Sequence, residues 1–192
     1  HLQRRRQRQM CIRDRIETAI KKLPEAIFAI DGEETIQKIK ARRDKLKAIA
    51  KRYYEKQAKI VYIVGTDKKD NFVINRKNDR QTEVWVVRKN DTIYHRTFDR
   101  KETRELQLYG LNGDDQFTIT GKVNNGILLR LIGGQDHDVY TDRSVVSGWS
   151  RKTKIYDYKS KKNTVTPSSE TADLRSDNYH RNTYNHRDIA VS

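Results

Sequence analysis

The stretch "LYGLNGDDQFTITGKVNNGILLRLIGGQDHDVYTDRS", residues 108–144, carries one pattern twice. With Asp115 and Asp138 taken as zero, a glycine stands five residues before (Gly110, Gly133) and an aromatic two residues after (Phe117, Tyr140). A loop of Asn, Gly and Asp lies between. The same frame fits "VGTDKKDNFVI" with Gly65, Asp70 and Phe72. It fits more loosely "VVRKNDTIYHR" with Val86, Asp91 and Ile93, and "YDYKSKKNTVT" with Asn163 and Val165. Zero positions at 70, 91, 115, 138 and 163 give a period of about 23 residues. A period in the twenties marks stacked repeats, because one such unit is too small to bury its apolar face except against its neighbours.

Composition agrees with a thin core. Hydrophobic residues make up 34% of the 192 and charged residues 35%, which is lean for a thick globular interior but adequate for stacked turns that each bury a few side chains. The net charge of +15 raises three kinds of partner: nucleic acid, an anionic membrane surface or an acidic polymer. Part of that excess lies in residues 1–15, where six arginines face a single Asp14. This segment differs from the rest of the chain and reads as a disordered or non-native tail. The one cysteine, Cys11, falls within it, so no disulfide framework spans the chain. No apolar run reaches the length of a membrane helix.

Periodicity then divides the chain. Ile16, Ala19, Ile20 and Leu23 have helical spacing and Pro24 ends the run. A longer helix is expected from Glu33, with Ile36, Ile39, Leu46, Ile49, Ala50 and Tyr53 as its apolar stripe. From Lys59 the period changes to two, and "KIVYIV", "NFVINR", "EVWVV", "TIYHRTF", "ELQLY", "QFTIT", "ILLRLI" and "KIYDY" read as strands, two to a repeat. The expected organisation is a tail at 1–15, a helical lead-in at 16–58, a β-repeat domain at 59–165, and a linker or tail at 166–192. The fold class is mainly β with N-terminal helices, as a short β-solenoid-like stack.

Three sets of residues invite a functional reading. The loops "GLNGDDQF" and "GGQDHDVY" echo the calcium-binding pattern of β-roll repeats, in which stacked loops gather the six to eight oxygens that calcium prefers. Asp114, Asp115, Asp136 and Asp138 are the candidate ligands; no cofactor is expected, and calcium is the alternative. The competing reading makes Asp70, Asp115 and Asp138 hydrogen-bond acceptors for loop amides beside glycines of positive φ. The residue at plus two is either a stacking platform for rings or, since Ile and Val also occupy it, a core position. On the long helix Lys38, Arg42, Arg43, Lys45, Lys51 and Arg52 form a candidate anion-binding set, or else a solvated face. The histidines, His1, His95, His137, His180 and His186, have no metal-ligand spacing, and no catalytic constellation emerges.

Four stretches carry a resemblance: "AIKKLPEAIFAIDGEETIQKIKARRDKLKAIAKRYYEKQAKIVYIVGTDKKDNF", "YHRTFDRKETRELQLYGLNGDDQFTITG", "RLIGGQDHDVYTDRS" and "NYHRNTYNHRD". Together they resemble the middle segment of large outer-membrane proteins that join a calcineurin-like metallophosphoesterase domain, a kinase-like region and a C-terminal surface-antigen β-barrel. The resemblance implies a piece lying between the kinase-like region and the barrel, without the parent family's catalytic residues. It implies a place in the cell envelope, on a side of the outer membrane that it does not specify. The expected function is therefore a non-catalytic structural and docking segment that spaces soluble domains from the barrel. Its expected partners are neighbouring domains of the same chain and anionic lipid or glycolipid head groups. The alternatives are a calcium-binding β-roll-like module and a basic domain that binds nucleic acid or another polyanion.

Overall fold

The computed structural model describes residues 14–178, and it is mainly β with a helical lead-in. The chain forms two compact units, divided between Lys56 and Gln57. The first holds helix α1, helical at residues 14–20, and nearly all of α2 (Glu25–Gln57). Asp14 and Arg15, expected in the tail, are thus helical. His1, Cys11, His180 and His186 lie outside the described residues.

Helix α2 starts eight residues earlier than its apolar stripe suggested. Pro24 accepts the first helical bonds, from the N–H groups of Ile27 and Phe28 at 2.9 Å each. A proline just ahead of a helix suits that position, because its missing donor would have no partner there. Gly32, just before the expected start at Glu33, lies inside the helix against the Phe28 ring, where an added Cβ would sit 2.3 Å from ring carbon Cδ2. Of the expected stripe, Ile36 is buried and Ile39 half-buried, whereas Leu46, Ile49, Ala50 and Tyr53 are exposed. Lys40 of α2 is tied to Glu17 of α1 by an ion pair.

The second unit contains thirteen described strands: β1 (Ile60–Val64), β2 (Asn71–Arg76), β3 (Gln81–Arg88), β4 (Asp91–Asp99), β5 (Glu105–Leu111), β6 (Gln116–Thr120), β7 (Lys122–Val123), β8 (Leu128–Gly134), β9 (Val139–Asp142), β10 (Val145–Val146), β11 (Thr153–Tyr156), β12 (Thr164–Thr166) and β13 (Thr171–Asp173). One sheet runs β1-β5-β8-β11-β13, with every pair parallel. A second runs β12-β9-β6-β2-β3-β4, and a two-stranded ladder joins β7 to β10. Glu105 pairs with Leu128, Gln116 with Val139 and Lys122 with Val145, a common step of 23 residues in all three sheets. The third ladder corrects the expectation of two strands per repeat.

Asp91 is not the zero of a repeat. It opens β4, which pairs antiparallel with β3, and β3 pairs antiparallel with β2. The hairpin fills the gap between Asp70 and Asp115, so β2 is paired directly with β6. A tight turn, with Lys89 at φ 54°, gave this hairpin the Asn and Asp texture of a repeat loop. Of the region from residue 166, the described part up to residue 178 is likewise more than a linker, because β13 adds to the first sheet beside β11.

The core lies between the inner faces of the two large sheets. Leu106, Leu108, Leu129 and Leu131 of the first face Phe72, Ile74, Phe117 and Ile119 of the second within one buried cluster. Phe72 stacks on Phe117 at 4.6 Å between ring centroids, and Phe117 on Tyr140 at 5.0 Å. All three rings are fully buried, so the plus-two position is core. Ile93, at plus two from Asp91, is exposed on the hairpin.

Candidate functional sites: a buried carboxyl ladder and an outer cleft

Aspartates 70, 115 and 138 come together at one edge of the β unit, where β1, β5 and β8 give way to β2, β6 and β9. All three side chains are buried. The N–H of Asp70 donates to Asp115 Oδ1 at 2.7 Å, that of Asp115 to Asp138 Oδ1 at 2.9 Å, and that of Asp138 to Asn163 Oδ1 at 2.9 Å. The acids thus accept amide protons as expected, but chiefly from the preceding turn. Asp70 also accepts locally, from the N–H of Thr66 at 2.6 Å.

The glycine at minus five exists for this carboxyl. A Cβ on Gly110 would lie 2.1 Å from Asp115 Oδ2, and one on Gly133 would lie 2.1 Å from Asp138 Oδ2. Neither position has a left-handed φ, so close approach is what requires glycine there. Positive φ belongs instead to the loop glycines Gly113 (105°) and Gly134 (128°).

One oxygen of each acid, Asp70 Oδ1, Asp115 Oδ2 and Asp138 Oδ2, is buried without a hydrogen-bond partner in the structure. A buried carboxylate left this way is costly, and protonation removes the charge. Burial pushes the Asp115 carboxyl up to about 8, reinforced by the charges of Asp138, Asp70 and Asp114 and opposed by the donated Asp70 N–H. Burial raises Asp138 to about 7, with Asp157, Asp136 and Asp114 adding to it and the Asp115 N–H opposing. Asn163 occupies the fourth rung as a neutral amide that accepts at Oδ1 and donates from Nδ2 to Tyr158 O at 3.2 Å. A protonated Asp offers the same acceptor and donor pair. Beyond the third rung, Asp157 accepts from the Tyr140 hydroxyl at 2.7 Å, and burial raises its carboxyl too.

The other two calcium candidates lie on the outside. Asp114 and Asp136 are exposed, accepting from His137 N–H at 3.2 Å and Gly113 N–H at 2.8 Å. Among the described residues, no three His, Cys, Asp or Glu side chains form a metal-holding group. The candidate anion-binding residues on α2 are partly engaged already. Lys38 pairs with Glu34 at 2.6 Å, Arg43 with Asp44 at 2.5 Å and Lys51 with Glu55 at 3.6 Å, while Arg42, Lys45 and Arg52 are exposed.

A cleft of about 420 Å³ opens on the outer face of the five-stranded sheet. Parallel register places Val64, Tyr109, Ile132 and Tyr156 in one row and Tyr62, Gln107, Arg130 and Lys154 in the next. Arg130 Nε donates to Glu105 Oε1 at 2.6 Å and its Nη1 to the Tyr156 hydroxyl at 2.5 Å. Gln107 Nε2 donates to Glu105 Oε1 at 2.5 Å, and the Tyr109 hydroxyl donates to Gln107 Oε1 at 2.6 Å. One hydrogen-bonded chain therefore braces the cleft from Tyr109 to Tyr156. Sequence reasoning missed it because its parts are spread over residues 60–156. A signal existed: the residue just before each minus-five glycine is Val64, Tyr109 or Ile132, bulky at a position whose parity points outward.

Among the described residues no helix is long and apolar enough to cross a membrane, which says nothing of a β-barrel. No protein-family model, curated protein or solved structure matches this chain.

Proposed function

We propose that the chain is a non-catalytic structural and docking segment, a short β-solenoid behind a helical lead-in, that spaces neighbouring domains of a longer cell-envelope protein. The observation that carries this reading is the common step of 23 residues in three parallel ladders. Such a stack grows by about 4.8 Å per turn, so the four steps of the five-stranded sheet set β1 and β13 about 19 Å apart. The interlocked aspartates and stacked rings make each turn bind the next, which gives a spacer stiffness along its axis. The resemblance to the segment before a surface-antigen barrel supplies the place, beside an outer membrane. Anionic lipid or glycolipid head groups there suit the net charge of +15.

The test is to lengthen the stack. Residues 116–138 are duplicated in tandem, and spin labels placed before β1 and after β12 report their separation. A solenoid spacer lengthens by about 5 Å and still melts in one transition. An unchanged distance, or loss of folding, overturns the reading.

A further inference from the structure

We propose that the cleft on the outer face of the five-stranded sheet binds a neutral, hydroxyl-rich ligand, a short saccharide, against Tyr109, Tyr156 and the Glu105–Arg130 pair. An outward row on a solvated strand face is ordinarily polar, as the neighbouring row of Gln107, Arg130 and Lys154 is. Val64, Tyr109, Ile132 and Tyr156 instead line up in register, with only 9% of Tyr109 and 8% of Ile132 exposed. Tyr62 extends the aromatic surface, its ring centroid 6.5 Å from that of Tyr109. Aromatic rings beside planar amide, carboxylate and guanidinium groups match a sugar, which has an apolar ring face and an edge of adjacent hydroxyls.

Charge decides between ligand classes. The chain is strongly basic, yet in the cleft Glu105 offsets Arg130, so the site does not select for an anion. The network also leaves donors to offer. The bonds to Glu105 and Tyr156 engage two of the five N–H donors of Arg130, and the Tyr156 hydroxyl accepts from Arg130 and so keeps its own proton to donate. The volume lies within the range of small-ligand sites. The bracing holds these groups before the ligand arrives, which lowers the ordering cost of binding.

The experiment is saturation-transfer NMR on the full chain with cellotetraose, maltotetraose and chitotetraose, and a heparin hexasaccharide as the charged control. Saturation should reach at least one neutral tetrasaccharide and should not depend on salt. Tyr156→Phe, which keeps the ring, should weaken binding about 5-fold, the effect of one hydrogen bond. Arg130→Lys should weaken it at least about 10-fold, the loss of a charge-assisted fork. Gln107→Ala serves as a third variant should Arg130→Lys alter the melt. No transfer to any neutral sugar, transfer to heparin alone, or binding indifferent to Tyr156→Phe and Gln107→Ala overturns the proposal. None of these results bears on the 23-residue stack.

Discussion

Two corners of the β unit bury charged groups, and they handle the problem in opposite ways. At one, Asp115 and Asp138 stand in a column of like groups and share backbone N–H donors with the turns beside them. At the other, Arg76 is 1% exposed and alone of its kind. Its Nη1 donates to Ile127 O at 2.8 Å, and its Nη2 to Lys152 O at 3.1 Å and Thr153 Oγ1 at 3.3 Å. Burial lowers its pKa to about 10, although Asp142 and Glu170 hold it up. The arginine therefore keeps its charge at neutral pH, whereas burial holds the Asp115 and Asp138 carboxyls toward their protonated forms, with Asp138 near its midpoint. A cation can be satisfied by several carbonyls, which the chain has in plenty, but a stack of carboxylates repels itself.

The largest expected effect breaks the arginine corner. Arg76→Met strips the acceptors Ile127 O and Lys152 O of their guanidinium donors and should cost about 3–5 kcal/mol, lowering the melting midpoint by about 10 °C. Next comes Gly110→Ala, whose Cβ would lie 2.1 Å from Asp115 Oδ2 and 2.5 Å from the Gly133 carbonyl oxygen. A forced shift of that kind should cost about 2–3 kcal/mol in a denaturant titration.

A pH series sharpens the contrast. Folded Asp115 and Asp138 titrate near 8 and 7, well above the value of about 3.9 in an unfolded chain. Their contribution to stability is then complete below about pH 4 and is lost as pH rises through 7 to 8. The wild-type midpoint should fall between pH 6 and pH 9, and Asp115→Asn should flatten that fall. Arg76 adds little slope in this window, since it stays mostly protonated below pH 9. Asp115→Ala should cost about 1–3 kcal/mol at every pH, because the Asp70 N–H loses its acceptor.

Smaller still is Leu111→Gly. Leu111 has φ 83° and pairs with Gly134, so it holds a left-handed conformation where the next repeat has glycine. Relief of that strain should stabilise the chain by up to about 1 kcal/mol. At the bottom of the scale, melts in excess calcium and in chelator should overlay, and a rise of many degrees with calcium would make Asp115 and Asp138 ligands.

The same contrast explains what could be read in the sequence. The aspartate corner repeats, so Gly110, Asp115 and Phe117 announced themselves by recurring as Gly133, Asp138 and Tyr140, and the strands around them were legible by alternation. Arg76 occurs once among 41 basic residues, and only the folded chain reveals which carbonyls it meets. The hairpin copied the texture of a repeat without its parallel pairing, hence the false zero at Asp91. On α2, spacing alone identified an apolar stripe, but of that stripe only Ile36 is fully buried. The cleft went unseen because outward residues respond to contacts between turns, and these depend on register more than on local pattern.

The most direct test of the stack is removal of residues 116–138, which joins Asp115 to Val139 in phase, beside a control that removes residues 116–127. If the turns are interchangeable, the first variant still unfolds in one cooperative transition, with a lowered midpoint and an unchanged β-rich circular dichroism spectrum, while the second does not fold. Equal collapse of both variants would contradict a body built from interchangeable 23-residue turns.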